Sequence, residues 1–233
     1  MAAPYEDKIV TVFDGALTIC WKRHPKRDFA FEATFQLDHP ALAKFRSGKP
    51  PLHFHPHQEE YIKVTEGSLA VEFEGQEHVL TSEDGEFLVK PWAIHRLYTL
   101  PPSAQGEDSS THGNRVSFQA SGERTEEMYK MDYLFFENWY GYQDEMIRDR
   151  KSISLIQTMS MFDAGGSYIV LPWWVPFRRR TSQILGILIG RCLGGLLGYR
   201  PFYRKWSTDW SLAQSKMRTS IFHWHFAGRD KLE

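Results

Sequence analysis

The stretch His53-Phe54-His55-Pro56-His57-Gln58-Glu59-Glu60, followed seven residues later by Gly67, decides the fold of this chain. In an extended strand, residues two apart share a face, so His53 and His55 aim their imidazoles the same way. Pro56 bends the chain. A second strand that starts at Glu60 and returns antiparallel then sets its carboxylate opposite the pair, and Gly67 permits the turn into a third strand. Thirty-five residues after Glu60, His95 heads another strand, behind a turn that contains Pro91. Three imidazoles and one carboxylate converging in this way suit one divalent ion, Fe(II), Mn(II), Ni(II) or Zn(II). On a six-coordinate ion, two positions stay open for substrate, water or dioxygen.

Outward from this stretch the chain reads as short strands. Lys8–Val12, Ala16–Trp21 and Ala30–Leu37 are separated by Asp14-Gly15 and by a charged bend, Lys22–Asp28. Leu52–His55, Glu60–Thr65, Leu69–Phe73, His78–Leu80, Glu86–Val89 and Ile94–Leu100 follow. The pairs Glu66-Gly67, Glu74-Gly75 and Asp84-Gly85 suit tight reversals. Pro101–Asn114 reads as a polar hairpin loop, after which Arg115–Gln119 resumes the strand pattern. Many short strands at even spacing predict a sandwich or barrel and not a parallel sheet.

The period changes after Gly122. Thr125–Tyr140 reads as a helix capped by Thr125, with Glu126 and Glu127 in its first turn and Met128, Met131, Leu134, Phe135 and Trp139 as its apolar stripe. Ser152–Phe162 reads as a second helix stopped by Gly165-Gly166. A Pro- and Trp-rich passage, Leu171 to Phe177, precedes a third helix over Thr181–Tyr199 and a fourth over Thr208–Arg218. The expectation is a barrel over residues 1–122 and a helical extension over 123–233, packed on the barrel or on a second subunit.

The histidine stretch resembles the first motif of the cupin superfamily: His-x-His, four residues, Glu, six residues, Gly. His53, His55, Glu60 and Gly67 meet every spacing. The family's second motif runs Gly, five residues, Pro, then Gly and His. Gly85 and Pro91 fit it, Ala93 stands where glycine is usual, and His95 comes one residue earlier than the commonest spacing. The resemblance implies a mainly β fold, a double-stranded β-helix (jelly-roll) barrel, followed here by the α-helical C-terminal extension. It also implies His53, His55, Glu60 and His95 as metal ligands. The chain further looks like the small cupins found beside fungal secondary-metabolite genes, a likeness that implies no particular reaction.

Alternation carries Ile62 and Val64 inward after Glu60, and Leu97 after His95. The ion is thus expected to sit in an apolar pocket for a small, mostly apolar ligand. The same alternation turns His57 and Glu59 away from the metal, to supporting or solvent-facing positions. His24, His39, His78 and His112 read as surface histidines. His223 and His225 repeat the His-x-His spacing but have no acid beside them at cupin spacing, so they read as no second site. No Ser/His/Asp order, phosphate loop or dinucleotide glycine pattern is present.

At 42% hydrophobic and 15% aromatic residues, the 233-residue chain has ample material for a core, which excludes a largely disordered protein. Cys20 and Cys192 match no metal or redox spacing and read as reduced, packed thiols. The start MAAPYEDKIV has neither the basic beginning and apolar core of a secretory signal nor an Arg-rich transit pattern. An intracellular, cytoplasmic protein is therefore expected.

The net charge of −1 hides an asymmetry. Nine acids fall between Leu52 and Leu100. Between Asp163 and Asp209 there is no acid, but Arg178, Arg179, Arg180, Arg191, Arg200, Arg204 and Lys205 all occur there. Gly186, Gly190, Gly194 and Gly198 recur every four residues within an aliphatic run. Such a stripe lets another backbone approach closely. The run holds about fourteen residues with Arg191 inside, against the ~20 that span a bilayer. A buried helix, packed on the barrel or in a homodimer, is the plainer reading. Peripheral membrane contact through Trp173, Trp174, Phe177 and Arg178–Arg180 is the other. Nucleic-acid binding is not supported, because the basic residues interleave with aliphatics and form no polar groove.

The leading function is a metal-dependent enzyme, Fe(II) first among the candidate ions, that oxidises a small phenolic or polyketide-like molecule, with dioxygenation as the type reaction. A non-redox isomerase, lyase or cyclase, with the metal polarising a carbonyl and Glu59 moving a proton, is the second reading. A non-catalytic binding or scaffolding cupin is the third.

Overall fold

Burial alternates along β5 (Glu60–Glu66): Glu60, Ile62 and Val64 point inward, while Lys63 and Thr65 face solvent. This strand belongs to a computed structural model that describes residues 8–43, 49–101 and 114–228. Most of the polar loop expected over Pro101–Asn114, with His112, lies outside the described residues. The architecture is the mainly β one expected: two antiparallel sheets of the double-stranded β-helix kind, then a helical C-terminal part.

The chain divides into two compact units. One runs to Leu52 and resumes over Gln58–Arg124; the other takes His53–His57 together with the chain from Thr125 onward. In the first unit, one sheet follows the order β1 (Ile9–Val12), β2 (Leu17–Trp21), β3 (Arg27–Gln36), β10 (Arg115–Glu123), β5, β8 (Glu86–Val89). β6 (Leu69–Phe73) lies between β7 (Gln76–Leu80) and β9 (His95–Thr99) in the other sheet. A short helical turn, α1 (Pro40–Ala43), follows β3.

The expected reversals have a physical basis in the backbone. Glu74 and Gly75 both take positive φ, 49° and 84°, between the paired residues Phe73 and Gln76. That is the two-residue turn whose twist matches its strands. β3 starts at Arg27, inside the bend expected over Lys22–Asp28, because Arg27 pairs with Glu123 in the sheet and its guanidinium lies 3.1 Å over the Tyr61 ring. Trp21 and Phe31 meet edge to face at 5.2 Å, and Phe29 stacks on Phe31 at 5.9 Å. These buried rings give the first unit its core.

In the second unit, β4 (His53–Phe54) pairs antiparallel with β11 (Tyr168–Ile169). Its first long helix is α2 (Tyr133–Arg148), eight residues later than the Thr125 start expected from sequence. Thr125 does bind locally, accepting from the Glu127 backbone N–H, but the cap is Asp132, which accepts from Phe135 N at 2.9 Å. Two cap signals lie in one stretch. The one followed by residues that can be buried prevailed: Met131, Leu134 and Phe135 are buried, whereas Met128 is exposed.

α3 (Leu155–Ala164) is capped by Ser154 and ends at Gly165, as the glycine pair suggested. The third helical run starts at Arg178 and not Thr181. It comprises α4 (Arg178–Gly186), a π-helical stretch over Ile187–Leu193, and α5 (Gly194–Leu197). α6 (Trp210–Arg218) begins at an Asp209 cap. Leu134, Phe202, Trp210, Ala213, Met217 and Phe226 build this unit's core. Buried Lys216 ties α6 to the start of α2 through Asp132, at 2.5 Å.

The glycine stripe packs against a backbone at Gly190 and against a side chain at Gly186, while Gly198 meets nothing within 4 Å. A side chain on Gly190 would meet Met159 O at 2.3 Å, and one on Gly186 would meet the Tyr168 ring. The aliphatics on the other side of the run are not covered: Ile184, Leu188, Leu193, Leu196 and Leu197 are exposed. Both cysteines are free thiols, partly buried.

Candidate metal centre

His53 and His55 come from the same strand segment, and their ring centroids lie 5.0 Å apart. His95 heads β9 and is fully buried. The candidate ligand atoms of His53, His55 and His95 all lie within 4.8 Å of one another, the one such group among the described residues. Glu60 stands beside this trio: its Oε2 is 3.0 Å from His95 Nε2.

Two ligand atoms about 2.1 Å from one ion, on neighbouring vertices of an octahedron, stand about 3.0 Å apart. The Glu60–His95 separation equals that value, which is also an ordinary hydrogen-bond length, and Glu60 is not among the residues whose ligand atoms all lie within 4.8 Å of one another. Three imidazoles and a carboxylate are also the ligand chemistry of mid-series divalent ions.

The ring orientations are set by neighbours. His95 Nδ1 lies 3.0 Å from Ala93 O, so it donates to the carbonyl and presents Nε2 to Glu60. The short turn before it works because Ala93 N donates to Lys90 O at 3.1 Å, with Pro91 and Trp92 between. Trp92 takes φ +69°, the left-handed backbone that glycine or asparagine usually supplies at this turn position. Ile94 N donates to Glu74 Oε1 at 2.7 Å, which anchors the approach to β9.

His55 Nδ1 lies 2.9 Å from Ser167 Oγ, and both side chains are buried. A bond at Nδ1 selects Nε2 as the ligand atom. Sequence reasoning missed Ser167, which lies 112 residues away. It reaches the ring because Gly165-Gly166 ends α3 and β11 then pairs with β4. At Gly166, φ is +62° and a Cβ would meet Tyr129 O at 2.5 Å, so only glycine fits that turn. Phe162 packs on His53 at 6.1 Å between centroids, and Tyr168 on Phe54 at 5.9 Å.

The remaining sequence candidates are placed as follows. Ile62 and Val64 are buried on the Glu60 face of β5, and Leu97 is half-buried. His57 is exposed. Glu59 is half-buried and accepts from the Tyr61 hydroxyl, and its backbone N–H donates to Glu123 Oε2 at 3.3 Å. The bond to Glu59, aided by burial, holds the Tyr61 phenol above its ordinary pKa. His223 is buried, while His225 is half-buried with its ring 3.9 Å from Phe226.

Two antiparallel sheets and a cluster of three imidazoles define this chain as a β-sheet protein with a candidate metal centre. No family model matches it. It is 42% identical over 224 residues to the probable oxidoreductase yanE of Aspergillus niger, covering 94% of this chain and 84% of that protein. It is 39% identical over 175 residues to the epoxidase atD of Aspergillus terreus, covering 75% of this chain and 52% of that protein. Among solved structures, KdgF from Halomonas sp. matches 48% of this chain and 82% of its own, at 15% identity and a TM-score of 0.32. The chain belongs to the family of fungal oxidoreductases that includes yanE.

Proposed function

We propose that this protein is a metal-dependent oxidoreductase. His53, His55, Glu60 and His95 hold one divalent ion, Fe(II) first among the candidates. The substrate is a small phenolic or polyketide-like molecule of secondary metabolism, and the reaction is a dioxygen-dependent oxidation such as dioxygenation or epoxidation. The observation that carries this reading is the convergence of the three histidines within 4.8 Å. The names of the relatives, an epoxidase among them, support redox chemistry over the isomerase or lyase reading and over a scaffold without activity.

When bound, an ion of this kind supplies one-electron chemistry and a template that holds an organic substrate beside dioxygen. The protein's own residues do the rest. Glu60 brings the negative charge that offsets part of the cation's. Ser167 and the Ala93 carbonyl hold the His55 and His95 rings in their ligating orientation, so little reorganisation is needed when the cation binds. Ile62 and Val64 extend the Glu60 face of β5 as an apolar wall, which excludes water and favours an apolar substrate.

The test is elemental analysis of anaerobically purified protein, paired with oxygen uptake on phenolic and polyketide-like compounds. One iron per chain and substrate-dependent uptake are expected, and the double variant His53→Ala/His55→Ala should lose both. Stoichiometric metal retained in that variant would remove the site. Stoichiometric zinc with no oxygen uptake would return the non-redox reading.

A further inference from the structure

Three aromatic side chains stand out from the surface of the second unit: Trp173 is 82% exposed, Trp174 68% and Phe177 88%. Burying such rings is normally worth more than any other side-chain burial, so a cluster of three in water marks a surface with a partner. Arg178, Arg179 and Arg180 follow at once, as the first turn of α4. A helix start already carries partial positive charge, and Phe177 supplies no side-chain cap, so the arginines add to that charge and do not offset it.

The helical run that follows these rings has uncovered aliphatics of its own. Gly186, Gly190, Gly194 and Gly195 are buried, whereas Ile184, Leu188, Leu193, Leu196 and Leu197 are exposed. Past its end come Arg200 and Arg204, while Lys205 beside them pairs with Glu145 at 2.7 Å, and no acid occurs in the sequence between Asp163 and Asp209. The run is therefore an apolar strip with cations at both ends.

We propose that this strip is a docking surface for an anionic lipid bilayer, with the helical run lying in the plane of the headgroups. Tryptophans suit the headgroup level, aliphatics the acyl boundary beneath it, and arginines the lipid phosphates. No helix among the described residues is long and apolar enough to cross a membrane. A second copy is the poorer occupant. A two-fold contact through this strip would set basic ends against basic ends, and like charges brought together oppose association. The inference stands on the surface alone and does not depend on the metal centre.

The experiment is co-sedimentation of the full-length chain with vesicles of phosphatidylcholine, alone or mixed with phosphatidylserine, while tryptophan emission is recorded. Binding to the anionic vesicles with a blue shift is expected, and added salt should weaken it. The variant Trp173→Ala/Trp174→Ala/Phe177→Ala should abolish both signals. Arg178→Gln/Arg179→Gln/Arg180→Gln should weaken partitioning onto anionic vesicles roughly 100-fold, at about fivefold per cation, with little effect on neutral ones. All six substitutions leave the buried side chains in place, and circular dichroism checks that the fold survives. Failure to bind either vesicle overturns the proposal. If the chain is then a dimer that the aromatic variant dissociates, a second copy is the occupant. Equal binding by the wild type and the aromatic variant overturns it as well.

Discussion

Ser167 and Ala93 act on the two fully buried imidazoles in the same way, each engaging Nδ1 and so presenting Nε2. Under the proposed function their loss should be felt as weaker metal binding and not as unfolding. Ser167→Ala is expected to lower metal affinity about 10- to 100-fold, the range for partners that orient a ligand. His95→Ala should cost at least as much, and Ser167→Thr, which keeps the hydroxyl, should recover most of the loss. Competition against a chromophoric chelator measures all three. An unchanged affinity in Ser167→Ala would mean that His55 is oriented by packing against its neighbours. Nothing in the local sequence singles out Ser167, because its relation to His55 exists only through the pairing of two-residue strands far apart in the chain.

At the scale of elements, the glycine stripe is the most instructive case. Glycines every four residues drift around an α-helix, which turns every 3.6 residues. The π-helical stretch Ile187–Leu193 takes more residues per turn and offsets that drift. Gly186, Gly190 and Gly194 therefore stay buried together. At Gly190 the obstacle to a side chain is backbone, Met159 O at 2.3 Å and Met159 C at 2.5 Å, which cannot swing aside. Gly190→Ala should destabilise by about 2 kcal/mol or more, as overpacking does, despite alanine's better helix propensity. Gly198→Ala meets no atom within 4 Å but must adopt φ +92°, so a loss of about 1–2 kcal/mol from backbone strain alone is expected. Urea denaturation of both variants tests the ranking. A stabilised Gly190→Ala protein would refute the close packing.

For the molecule as a whole, His223 makes stability depend on pH. It is buried, and neither ring nitrogen has a hydrogen-bond partner among the described residues. Burial, with the nearby charges of Arg191 and His225, depresses its pKa to about 4. The unfolded chain, at about 6.5, then binds more protons than the folded one at intermediate pH. The stability from neutral His223 is thus fully present above about pH 6.5 and is lost as pH falls toward 4. Between pH 7 and pH 5 the wild type should lose about 2 kcal/mol more than His223→Phe, which has no titrating ring. Denaturant titrations of both proteins at the two pH values give the difference. Equal losses would show that the ring protonates freely in the fold. The buried Asp163–Arg191 pair, bidentate at 2.7 and 2.9 Å, is a second ionic feature that packing created. Burial raises the Asp163 carboxyl while the guanidinium pulls it back.

Local chemistry made much of this protein legible in its sequence. The two-residue period of Glu60–Glu66, the acid-glycine turns and the His-x-His spacing act within one strand or hairpin, so the residues carry their own instructions. The sheet class and the histidine candidates follow from them. The Asp132 cap depended on burial and the Ser167 contact on a pairing across more than a hundred residues, and no window of sequence encodes those. Thr125 and Asp132 were equal as caps until Met131 and Leu134 found a core and Met128 did not. The glycines of the striped run mark the side that meets the Met159 backbone, but that the aliphatics opposite them, Ile184, Leu188 and Leu196 among them, find no cover among the described residues was decided by tertiary structure.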